Sequence, residues 1–155
     1  MIIASVPHTA SRFVQSLLGP GVGNFHVYAK GTGENLIEIP KHRVIVVPLR
    51  HPRAVAQSWK NRGKPIVSHE KHEPMVAMWR TLIDVIAPLN PFYVPVDIES
   101  RDEYLAKLGK KIKRKLVTDW RAKSDGYMTT PLNDGDEAAV KILLADPFFA
   151  RFGYS

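Results

Sequence analysis

Two groups of residues in this chain have the types and spacing for chemistry on an anion: the run Pro7-His8-Thr9-Ala10-Ser11-Arg12, and, later, Arg50 with Ser58. A guanidinium is a permanently charged planar fork that matches a phosphate, and hydroxyls add further donors. Each group stands where one pattern gives way to another. Ile2, Ile3 and Val6 form a β-branched run that stops at a polar turn, after which Phe13, Val14, Leu17 and Leu18 recur at helical spacing. The run RVIVVPLR ends on Arg50, Pro52 stands where a first helical position is expected, and Val55 and Trp59 follow as packing residues. Both read as strand, turn and helix. A turn closing onto a helix N-terminus presents unpaired N–H groups and the positive end of the helix dipole, a cradle for anions. Two such turns on one sheet imply a ligand with phosphates at both ends.

The elements that must hold these turns follow from the rest of the chain. RVIVVPLR is almost continuously apolar, as expected of a central parallel strand covered on both faces. Pro48 has no N–H for a ladder, so the strand is expected to bend or end near it. GPGVGN reads as a loop, FHVYAK (residues 25–30) as a short strand, and GTGENL as a turn. The polar stretch 60–73, with Gly63 and Pro65, reads as an exposed loop; its His69 and His72 spacing is too weak to define a metal site, and no metal is expected. MVAMWRTLIDVIAPL is an amphipathic helix with Met75, Trp79, Leu82 and Ile86 on its apolar stripe. FYVPVDI reads as another strand ending at Asp97, which is read as structural. Ser100 and Glu103 have capping-box spacing for a helix through Leu108, and Asp134 and Glu137 suggest a further capped helix. FFARFGYS is expected to close against the core. The expected fold is α/β: one domain over residues 1–155, a three-layer α/β/α arrangement around a mostly parallel sheet.

Composition bounds the function. A net charge of +7 suits a nucleotide with several phosphates, and it equally suits nucleic acid, so charge does not separate the two. The densest basic stretch, KLGKKIKRKL at residues 107–116, has the plain reading of a solvated helix end. Without cysteine there is neither a disulfide framework nor a thiolate nucleophile. No apolar run is long enough for a membrane span and no basic leader opens the chain, so a cytoplasmic protein with no membrane partner is expected.

The paired turns resemble the signature of sulfotransferases that use 3′-phosphoadenosine 5′-phosphosulfate (PAPS). In that family a first loop wraps the 5′-phosphosulfate, and an Arg at a strand end, with a Ser eight residues later on the next helix, holds the 3′-phosphate. Residues Pro7 to Arg12 occupy the first place, and Arg50 and Ser58 keep the second spacing with Val55 between them. FYVPVDIESRDEYLAKLG and the closing FGYS are similar to later family segments. The resemblance implies a P-loop-NTPase-like fold of sulfotransferase type and PAPS as cosubstrate. It also implies in-line transfer of a sulfuryl group to a hydroxyl or amine of a small-molecule or glycan acceptor. It assigns Pro7, His8, Thr9, Ala10, Ser11, Arg12, Arg50 and Ser58 to the nucleotide, with Arg121 or Lys123 completing the 3′-phosphate site from a late basic loop. It makes His26 the base on the acceptor, and His8 the group that stabilises the leaving oxygen. Two positions depart from the pattern. His8 stands where the family has Lys or Arg, and Ala10 stands where it has Gly, so this loop is expected to avoid the positive φ that glycine allows. The alternatives are a non-catalytic nucleotide-binding relative and a basic nucleic-acid-binding protein.

Overall fold

Four parallel strands in the order β2-β1-β3-β4 form the centre of the protein. The computed structural model describes residues 1–6, 9–19, 21–26, 44–63, 75–116 and 130–155, with the backbone alone for 24–26. The strands are β1 (Ile2–Ser5), β2 (Gly23–His26), β3 (Ile45–Leu49) and β4 (Phe92–Pro95). The helices are α1 (Ser11–Leu18), α2 (Pro52–Asn61), α3 (Met75–Ile86), α4 (Arg101–Ile112), α5 (Asp134–Leu144) and α6 (Pro147–Ala150). α3 continues into a 3₁₀ turn, Ala87–Leu89.

Strand periodicity divides the core in two, because successive side chains of a strand point to opposite faces. Ile2 and Ala4 of β1, with Val6 just past its end, join Ile45, Val47 and Leu49 of β3 on one face. There they pack against Val55 and Trp59 of α2, Trp79 and Leu82 of α3, Val140 of α5 and Phe149 of α6. Ile3, Val46, Val94 and Val96 face the other way, onto Val14 and Leu18 of α1 and Leu105 and Leu108 of α4. Burial on both sides is why β1 and β3 read as unbroken apolar runs. The result is an α/β fold with a helical layer on each face. No helix among the described residues is long and apolar enough to cross a membrane.

Several elements stand where the sequence places them. Pro52 is the first residue of α2, α3 buries Met75, Trp79, Leu82 and Ile86, and Phe148, Phe149, Phe152 and Tyr154 close against the core. Three local expectations need correction. β2 begins at Gly23, inside the stretch read as a loop, because pairing of Gly23 with Ile2 and Asn24 with Ile3 overrides weak strand propensity. Ser100 precedes α4 without a side-chain cap, so the Ser100/Glu103 box does not form, and the helix runs to Ile112. The box at α5 is made instead by Asn133 and Asp136, which bond each other's backbone N–H at 2.8 and 3.3 Å. That leaves Glu137 to pair with Arg53 of α2 at 2.5 and 2.6 Å, a two-pronged link between the helices.

Pro48 bears on the site. β3 ends at Leu49, one residue past Pro48 and just before Arg50, as the sequence predicts, and it pairs with β4 as far as Pro95. What stops early is the ladder between β1 and β3, whose register covers only Ile2 with Ile45 and Ile3 with Val46. Val44 accepts from the Ile2 N–H and Leu49 from the Val96 N–H. Even-numbered residues of β3 therefore direct their backbone groups to β1 and odd-numbered ones to β4. Position 48 is directed at β1, and proline has no N–H to give. The two central strands lose a rung at their carboxyl ends for that reason.

Candidate functional site

The missing rung lies at the switch point of the sheet. From β1 the chain passes outward to β2, whereas from β3 it passes in the opposite direction to β4. Open parallel sheets bind ligands in the crevice outside the carboxyl ends of two such neighbouring strands. Both anion-competent turns issue there: one after β1, leading to α1, and the other after β3, leading to α2. α1 packs on one face of the sheet and α2 on the other. His26 ends β2 and is paired with Ser5, which places its backbone at the same edge.

The first turn is built by Thr9 and Ala10. Thr9 is fully buried and its hydroxyl donates to the Val6 carbonyl at 2.8 Å, which folds the chain back over the end of β1. The hydroxyl proton is thereby committed to the turn. Ala10 is the N-cap of α1 with φ 63 and ψ 30, a left-handed conformation, and among the described residues no side chain caps this helix. The expectation that alanine excludes positive φ is overturned, since burial of Thr9 and of Ser11 on either side holds the chain in place. Left-handed geometry costs a residue with a Cβ ~1–2 kcal/mol. Ala10→Gly should therefore raise stability by about 0.5–1 kcal/mol after allowing for the added freedom of the unfolded chain. Ala10→Val should lower it, and urea unfolding of the two variants checks the pair. Ser11 is buried and Arg12 exposed at the helix start. Pro7 and His8 lie outside the described residues, as do Arg121 and Lys123.

The second turn is more heavily tied. Arg50 follows β3 and is half-buried. The His51 N–H donates to Asp97 Oδ2 at 2.8 Å, and His51 Nδ1 accepts from the Arg53 N–H at 3.1 Å, capping α2. Asp97 stands just past the end of β4, and its other oxygen accepts from the Tyr154 hydroxyl at 2.7 Å. The Tyr154 ring meets the His51 imidazole edge-on at 5.7 Å between centroids. Burial pushes the Tyr154 hydroxyl far above its ordinary range; the Asp97 charge and hydrogen bond push the same way, while nearby Arg50 opposes them. One carboxylate thus ties the β3 turn, the end of β4 and the last segment of the chain. Asp97 carries a larger share of this edge than the sequence suggests, and the only early signal was its place at a strand end. Arg53, three residues past Arg50, is neutralised by Glu137.

Ser58 is 5% exposed and lies six residues into α2 from Pro52, ~9 Å along its axis from the helix start. Trp59 is 3% exposed within the core, which leaves its face to packing and not to a base. The structure therefore brings the β1 turn, the start of α1, Arg50 and the His26 backbone to one edge, and it keeps Ser58 within the helical layer. Comparison with protein-family models, with curated proteins and with solved structures gives no match.

Proposed function

We propose that the chain binds the adenosine 3′,5′-bisphosphate moiety of PAPS in the crevice between β1 and β3, as a small sulfotransferase of P-loop-like fold. The observation that carries this reading is the emergence of both turns side by side at the carboxyl edge of adjacent parallel strands. In this reading the uncapped start of α1, with Ser11 and Arg12, faces the 5′ end, and Arg50 holds the 3′-phosphate. The acceptor hydroxyl attacks sulfur in line while the bridging oxygen to the 5′-phosphate leaves. A base takes the acceptor proton, and His26 is the residue assigned to it. Little covalent work falls to the protein, and positioning and charge stabilisation supply the rate.

A specific observation favours the second reading, binding without transfer: the Thr9 proton is committed to Val6, which leaves one donor fewer for the sulfuryl oxygens. Calorimetric titration of the chain with adenosine 3′,5′-bisphosphate and with adenosine 5′-monophosphate tests the nucleotide site common to both readings. The bisphosphate is expected to bind at least ~10-fold more tightly, since only it presents a phosphate to Arg50. Equal affinity for the two, or no heat from either, rejects the assignment. Transfer of labelled sulfate from PAPS to a panel of phenols and glycans then separates the two readings.

A further inference from the structure

The charge excess of the chain lies at the other edge of the sheet. Lys107, Lys110, Lys111, Lys113, Arg114 and Lys115 are six cations with no acid among them in a chain of net charge +7, so the remainder is close to neutral. α4 leaves β4 at the carboxyl edge and runs back along the sheet. Just past its end, Arg114 Nη1 donates to the main-chain oxygen of Leu18 at 2.8 Å, at the finish of α1. Both helices therefore end at the amino edge, away from the β1/β3 crevice. All six residues are exposed, and among the described residues none of them makes an ion pair.

A helix C-terminus attracts cations, which accounts for Lys110 and Lys111 in the last turn. It does not account for the three that follow. Those are held by a tight reversal in which the Arg114 N–H donates to the Gly109 carbonyl at 2.9 Å and the Lys113 N–H to the Lys110 carbonyl at 3.3 Å. Lys113 takes the left-handed conformation there, φ 56, where glycine is usual. Gly109 is required, because a Cβ at that position would stand 2.5 Å from the Arg114 carbonyl oxygen. The chain thus folds its last three cations back beside those of α4.

We infer that this face binds nucleic acid through its phosphate backbone. Cations one turn apart on α4 are separated by ~6 Å, a spacing met by a polymer with a charge every few ångströms and not by an isolated anion. Ile112 and Leu116 are turned onto the core, so no exposed apolar side chain stands among the cations to enter a bilayer. No aromatic residue occurs between 107 and 116 to stack on bases, so recognition is of the backbone and independent of sequence. This site is separate from the proposed nucleotide site and stands or falls without it.

The test uses the whole chain and a short fluorescein-labelled DNA duplex of mixed sequence, with anisotropy read across a salt series. With six phosphates neutralised, affinity should fall on the order of a thousandfold between about 50 and 200 mM salt. Lys110→Gln, Lys111→Gln and Lys115→Gln combined should reduce that fall to roughly fortyfold. Arg62→Gln, Arg80→Gln and Lys141→Gln, which remove the same charge from exposed positions elsewhere, should leave the steep dependence in place. Equal behaviour of the two triple variants overturns the inference, as does the absence of duplex binding by the unaltered chain. Displacement of the duplex by phosphatidylserine vesicles assigns the face to lipid instead. Displacement by saturating adenosine 3′,5′-bisphosphate puts the duplex at the crevice and likewise overturns it.

Discussion

Arg50→Ala should weaken adenosine 3′,5′-bisphosphate binding by about 10- to 100-fold, the loss expected when one charge-assisted contact to phosphate is removed. Arg50 is the first residue past β3, half-buried, and it emerges beside the rung that Pro48 cannot form. Partial burial strengthens its field at the crevice relative to a side chain in open water. Arg50→Lys keeps the charge and loses the planar fork, so its affinity should fall between those of the intact chain and the alanine variant. Arg62→Ala, at the far end of α2, supplies the control and should change affinity by less than about 2-fold. Calorimetry on the three variants, with thermal unfolding to confirm that each is folded, measures the effect. Unchanged affinity in Arg50→Ala removes the nucleotide from this crevice.

The parts of this site that could be read from the sequence are those set by local pattern. A β-branched run ending in a polar turn before helical periodicity marks β1 with α1, and the same change marks β3 with α2. Pro52 marks the helix start because its missing N–H would be unpaired there in any case. The features that escaped depend on partners distant in sequence. Asp97 acquires its importance from His51 and Tyr154, which are 46 and 57 positions away, and no spacing rule connects them. Asn24 and Gly23 become strand residues only because β1 offers a ladder to them. Asn133 displaces Asp134 as the cap of α5 by a single position, within the usual uncertainty of helix ends. Pro48 was noticed for the right property, its missing donor. The direction in which the donor was missing could be known only once the phase of β3 between two neighbours was fixed. Ala10 shows the same limit, since a conformational preference of about 1 kcal/mol yields to packing that the local sequence does not reveal.

The carboxylate that ties this edge together should be the more costly one to remove. Asp97→Ala should lower stability by about 2 kcal/mol, because the Tyr154 hydroxyl stays largely inside without its acceptor and the His51 N–H loses a charged partner. Asp97→Asn can still accept from His51 and donate to the Tyr154 oxygen, so it should lose less. Tyr154→Phe separates the two contacts. At neutral pH it should cost about 1 kcal/mol for the lost hydrogen bond. Its effect on alkaline unfolding should run the other way. Burial, followed by the Asp97 charge and hydrogen bond, holds the folded-state pKa of Tyr154 above the unfolded value. The stabilisation it gives is complete below the unfolded pKa of about 10 and declines as pH rises beyond it, because the unfolded chain gives up the proton first. Urea midpoints of the intact chain should therefore fall from about pH 10 upward, with a limiting slope of about 1.4 kcal/mol per pH unit for this one group. In Tyr154→Phe that component is absent and the decline should be shallower. If the two proteins lose stability in parallel above pH 10, the Tyr154 hydroxyl is not held neutral in the folded chain, and neither its burial nor its contact with Asp97 governs alkaline unfolding.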